Sequence, residues 1–110
     1  MIVLNNNLLS DYLDGKETAR QFLQRHEQEA RAISMIVLYE AQIDCIHGYL
    51  DADPGTVRQA ITAAMEVLRL SERAAEEATV LQEQLLERGI PADHPDALIA
   101  ASAREHLRDR

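Results

Sequence analysis

The chain has 110 residues, enough for one domain with a real core and too few for a comfortable second one. Nineteen acids against eleven bases give a net charge of −8, so a generally basic nucleic-acid footprint is excluded. No apolar run approaches the ~20 residues that cross a bilayer, and the single cysteine, Cys45, excludes an intrachain disulfide and a cysteine-based zinc site. Met1–Leu4 followed by three Asn lacks the basic and long apolar regions of a signal peptide, so a soluble, cytoplasmic protein is expected. Ten of the eleven bases are Arg. An acid surplus with one lysine suits a salt-rich cytoplasm, and high-GC codon bias explains the Arg excess equally well.

Met1-Ile2-Val3-Leu4 is an apolar run stopped by Asn5-Asn6-Asn7, the pattern of a strand buried on both faces inside a parallel sheet. Leu8, Leu9, Tyr12 and Leu13 follow at helical spacing until Gly15, and a second helix is expected from Glu17 to about His26. Arg31–Ser34 reads as a short strand, with Ser34 as N-cap of the next helix. In that helix Ile36, Tyr39, Ile43, Ile46 and Leu50 form an apolar stripe expected to face inward. Asp53 and Pro54 open another helix as cap and first helical residue, with Val57, Ile61, Ala64 and Leu68 inward. Val67–Leu70 is alternatively a third strand. A helix over Glu72–Arg88 buries Ala74, Ala78, Leu81 and Leu85 and ends at Gly89; the last helix spans Asp96 to about Arg108. The resulting order, β-α-α-β-α-α-β-α-α, predicts a single α/β domain over 1–110 with a parallel sheet between helical layers, a three-layer α/β/α arrangement.

In such folds sites form at the carboxyl ends of the strands. Asn5 and Asn7 lie at the end of the first strand, Glu40 in the second turn after Ser34, and Asp96 in the first turn of the last helix. A helix N-terminus favours a carboxylate there.

These positions carry a resemblance. Met1-Ile2-Val3-Leu4-Asn5-Asn6-Asn7-Leu8-Leu9-Ser10 resembles the opening of PIN-domain proteins, where a hydrophobic strand runs into Asp-Thr-Asn. Ile33-Ser34-Met35-Ile36-Val37-Leu38-Tyr39-Glu40 is similar to the family's second block, in which a strand-terminal Ser precedes a metal-binding Glu. Asp93-His94-Pro95-Asp96-Ala97-Leu98-Ile99-Ala100-Ala101 is similar to its third block. The nearest relatives implied are VapC-type toxins of toxin–antitoxin pairs.

The resemblance implies a Mg²⁺- or Mn²⁺-dependent endoribonuclease that acts as a homodimer, cleaves RNA and is held by a cognate antitoxin protein, with no membrane role. Phosphodiester cleavage uses such ions to neutralise the phosphate, generate hydroxide and stabilise the leaving oxygen. It further implies Glu40 and Asp96 as metal-site and catalytic acids, Asn5 at the position of the first catalytic acid, and Asn7 and Ser34 as residues that order the site. Two departures stand out. Asn5 replaces an Asp, and the chain lacks the family's usual final strand. A catalytically inactive PIN domain that binds protein or RNA is therefore the competing expectation. A receiver-like domain, which needs a late Lys, fits poorly with Lys16 alone.

Other features have plainer readings beside the functional ones. Asp93 is either a supplementary metal ligand or a helix cap. Asp44 and His47, on the same helical face as Glu40, read as a solvated polar face or as a metal-lining ridge. His26, His94 and His106 read as surface or turn residues, and Cys45 as a small packed residue. Arg20, Arg25 and Arg31 are either a patch that steers RNA or ordinary surface charge.

Overall fold

The computed structural model describes residues 1–90 and 94–108. The described elements are β1 (Ile2–Leu4), α1 (Asn6–Leu13), α2 (Glu17–Arg25), β2 (Arg31–Ser34), α3 (Met35–Ile46), α4 (Pro54–Ala64), β3 (Glu66–Leu68), α5 (Glu72–Glu87) and α6 (His94–Arg108). Their order is the expected one. They divide into two compact units, Met1–Val67 and Leu68–Arg110.

In the first unit the strands lie in the order β1-β2-β3, and β1 pairs with β2 in parallel, Ile2 opposite Arg31, Val3 opposite Ala32 and Leu4 opposite Ile33. The sequence led us to expect Met1–Leu4 inside the sheet. Among the described residues β2 is the middle strand instead, and β1 lies at one end of the order. Burial follows that placement: Ala32, Ile33 and Ser34 are fully buried, whereas Ile2 and Val3 are only half-buried. An end strand has neighbours on one side only, so an apolar run there need not be sealed.

Around the sheet, α1 packs on β1, α2 and α3, while α3 packs on β2 and α4. Leu9 of α1, Leu23 of α2, Val37 and Ala41 of α3 and Ile61 of α4 are buried. The expected inward stripe of α3 is overturned in part. Tyr39 is 63% exposed and Ile46 68% exposed, and the buried face is Val37 and Ala41. The first turn of this helix is apolar all round, so periodicity does not choose a face there; the small Val37 and Ala41 let the helix approach closely. The helix also ends at Ile46, and Gly48 takes φ +81 just after it, so Leu50 is buried from a turn rather than from the stripe.

Helices α3, α4 and α5 each begin with a side-chain cap. The Ser34 hydroxyl accepts from the Ile36 N–H at 3.1 Å, and the Ser71 hydroxyl accepts from the Ala74 N–H at 3.0 Å. Asp53 accepts from the N–H groups of Gly55 and Thr56, and also from the Thr56 hydroxyl. That hydroxyl bond, then the Thr56 N–H, holds the Asp53 carboxyl below the usual carboxylate range. A lowered folded pKa means stability that is present above the unfolded pKa of about 3.9 and lost as the pH falls through the folded value. The Asp53→Asn variant, which keeps a capping oxygen, is expected to unfold with a flatter pH dependence below about pH 4. Parallel acid limbs for the two proteins in thermal melts would refute this role.

In the second unit α5 and α6 pack along a seam of small residues, Ala74 and Ala78 against Ala97 and Ala101, flanked by Leu81 and Leu98. The Ser71 hydroxyl donates to Glu105 Oε2 at 2.5 Å, tying the start of α5 to α6.

Candidate functional site

The parallel register of β1 and β2 brings their carboxyl ends to one edge, so Asn5 and Ser34 follow neighbouring paired residues. Both residues then start helices. Asn5 Oδ1 accepts from the Leu8 N–H at 2.8 Å as N-cap of α1, and Ser34, fully buried, caps α3. Two helix N-termini therefore open beside one another at the end of the sheet, where partial positive charge favours anions.

Glu40 stands in the second turn of α3 and faces α1. Its Oε2 accepts from the Asn6 Nδ2 amide at 3.0 Å, a bond that joins residues 34 apart in sequence. Its Oε1 is buried and has no hydrogen-bond partner among the described residues. Asn6 Oδ1 in turn accepts from the Ser10 hydroxyl at 3.4 Å. The carboxylate thus has one oxygen held by a neutral donor and one oxygen left over. A hard divalent cation takes such an oxygen readily, so the donor chemistry fits Mg²⁺ or Mn²⁺. Among the described residues no group of three His, Cys, Asp or Glu is gathered for a metal.

The expected site residues fall as follows. Asn5 is exposed and its side-chain oxygen is engaged as the α1 cap. Asn7 is exposed in the first turn of α1. The side chain that reaches Glu40 is Asn6, which stands where the family pattern has a Thr and was not among the expected site residues, nor was Ser10. A signal for both was present: Asn6, Leu9, Ser10 and Leu13 share one face of α1 at i, i+3, i+4 and i+7, the face carrying buried Leu9. Asp96 lies exposed in the first turn of α6, in the second unit, and Asp93 lies outside the described residues.

Of the remaining candidates, His47 is exposed and packs on the Tyr49 ring at 5.9 Å between centroids. His26 packs on Phe22 and contacts Glu29 through Nδ1 at 2.7 Å. Burial, then Asp44 and Asp53, pushes the Cys45 thiol up, which disfavours the nucleophilic thiolate. Arg31 lies over the Tyr12 ring and shares a cavity of about 330 Å³ with Arg20. Arg31 begins β2 and Ser34 ends it, so this patch is at the strand end opposite Glu40.

A parallel sheet with a carboxylate and amides gathered at its strand ends is the arrangement of an α/β domain that works at those ends. The chain belongs to the PIN domain family, whose model matches residues 2–107. Solved structures share its fold, two of them as follows. One is a toxin–antitoxin complex from Klebsiella pneumoniae, 24% identical with a TM-score of 0.77, covering 97% of this chain and 81% of that one. The other is VapBC2 from Rickettsia felis bound to a promoter DNA fragment, 22% identical with a TM-score of 0.78, covering 94% of this chain and 80% of that one. A search of curated proteins finds no match. Among the described residues no helix is long and apolar enough to cross a membrane.

Proposed function

We propose that this chain is a VapC-like toxin: a cytoplasmic endoribonuclease that cleaves RNA phosphodiesters with Mg²⁺ or Mn²⁺ and is restrained by a cognate antitoxin. The observation that carries the proposal is Glu40, which keeps one carboxylate oxygen buried and without a hydrogen-bond partner among the described residues, at the strand ends where two helices begin. Glu40 would hold the ion with Asn5, while Asn7 and Ser34 order the surrounding backbone; Asp96 and Asp93 are further metal-site acids only as the family resemblance implies them. The ion, when bound, would activate water and offset phosphate charge. The N-termini of α1 and α3 would help seat the scissile phosphate. The toxin–antitoxin complexes that share the fold support an antitoxin partner. Met35, Tyr39 and Ile46, exposed along one side of α3, support burial of that face in a homodimer. The family match over 2–107 supports a single working domain.

The test is cleavage of a structured RNA with Mn²⁺, with chelator, and after Mn²⁺ is restored. Cleavage should follow the metal. The Asn5→Asp variant sharpens the test, because Asp caps a helix as well as Asn and adds a charge at a helix N-terminus. Two unit charges at ~4 Å gain about 4 kcal/mol at an effective dielectric near 20, before desolvation and acid–acid repulsion are subtracted. We expect a net gain of about 1–2 kcal/mol, or roughly tenfold tighter Mn²⁺ binding. Equal affinity in the two proteins would remove Asn5 from the site. A second reading, an inactive PIN domain that binds protein or RNA, is favoured by the amide at Asn5. Absence of metal-dependent cleavage in both proteins would establish it over the nuclease.

A further inference from the structure

We propose that Asn6 is the positioning residue of the site, fixing the Glu40 carboxylate so that one oxygen is spent on the protein and the other is offered to the cation. The inference rests on the nuclease reading above and deepens it. Three observations carry it. The Asn6 amide nitrogen donates to Glu40 Oε2 at 3.0 Å across two helices. The Ser10 hydroxyl donates to the opposite end of the same amide, Oδ1, at 3.4 Å. Glu40 Oε1 is buried with no partner among the described residues.

The chemistry explains why an amide suits this place. A carboxylate has two equivalent oxygens and rotates freely between them unless a donor distinguishes one. An Asn side chain donates through nitrogen and accepts through oxygen, so the Ser10 hydroxyl at Oδ1 selects the orientation that aims Nδ2 at Glu40. The donor carries no charge. Lys or Arg here would neutralise Glu40 and repel a cation, while Asp would set two like charges against each other. Asn6 orients Glu40 and leaves its full negative charge available. Partners that orient metal ligands in this way typically change metal affinity 10–100-fold when removed.

Asn6→Leu keeps the volume and removes the donor. By isothermal calorimetry it should bind Mn²⁺ about tenfold more weakly than the parent, with cleavage falling in step. Ser10→Ala, which keeps the donor and frees the amide to turn, should weaken binding by a smaller factor; it also serves if Asn6→Leu fails to fold. In the metal-free protein the Asn6 side-chain amide resonances should move in Glu40→Ala. A purely structural contact would move those resonances and leave Mn²⁺ affinity intact in both variants, and that result overturns the proposal. So do amide resonances indifferent to Glu40→Ala. If the parent itself takes up no Mn²⁺, the nuclease reading fails and the positioning role falls with it. That outcome is distinct from a parent that binds Mn²⁺ and variants that bind it equally well.

Discussion

Glu40→Gln is expected to lower metal-dependent RNA cleavage at least about 100-fold while leaving the protein folded. The amide is isosteric with the carboxylate, and its oxygen still accepts from Asn6 Nδ2, so the α1–α3 contact persists. What disappears is the anionic oxygen. The buried Oε1 has no hydrogen bond among the described residues to compensate its loss of water. Such an atom is costly to keep in a folded protein unless something binds it. The thermal midpoint of the metal-free variant should therefore equal or exceed the parent's, opposite to the effect on cleavage. The two readouts together separate a site residue from a structural one. A variant that cleaves RNA within a few-fold of the parent would place the site elsewhere in the chain.

The second large effect concerns the strand that carries the site. Ile33 is 0% exposed in the middle strand, paired with Leu4 in the register that aligns Asn5 with Ser34. Ile33→Ala removes the side chain's buried apolar surface and leaves a cavity, so we expect a loss of about 3–4 kcal/mol. Against a total stability of roughly 5–15 kcal/mol, that is a large fraction of the whole. Ile33→Val, one methyl smaller, should cost about 1 kcal/mol. Urea unfolding of the three proteins measures the series. A change below about 1 kcal/mol for the alanine variant would mean that β2 is not the core strand of the sheet.

The order of elements was legible in the sequence because four of the helix starts are marked by a local chemical preference. Asn5, Ser34, Asp53 and Ser71 have side-chain oxygens that accept from free N–H groups at helix starts, and each does so in the folded protein. Gly15 and Gly89 take φ of +73 and +71 after helices, as expected of residues without a Cβ. The inner face of α3 was not legible. Met35-Ile36-Val37-Leu38 offers an apolar residue in every direction, and the choice of Val37 depends on how closely the helix approaches β2. The site was legible to the same depth. Parallel strands lead to their carboxyl ends, and the family pattern leads to Glu40. The bond from Asn6 depends on the crossing of α1 over α3, which is set by packing between residues far apart in sequence. Local patterns carry no information on that crossing.

The alanine seam between α5 and α6 makes the second unit sensitive to change in either direction. Trimming Ala74, Ala78, Ala97 or Ala101 to Gly removes a buried methyl and about 1 kcal/mol of helix preference. Enlarging any of them forces the two helices apart, with overpacking penalties of about 1–3 kcal/mol. Close backbone approach here acts as a sieve on side-chain size. The buried line of α5 is confined to the smallest residues, so side-chain size there sets the spacing of the two helices.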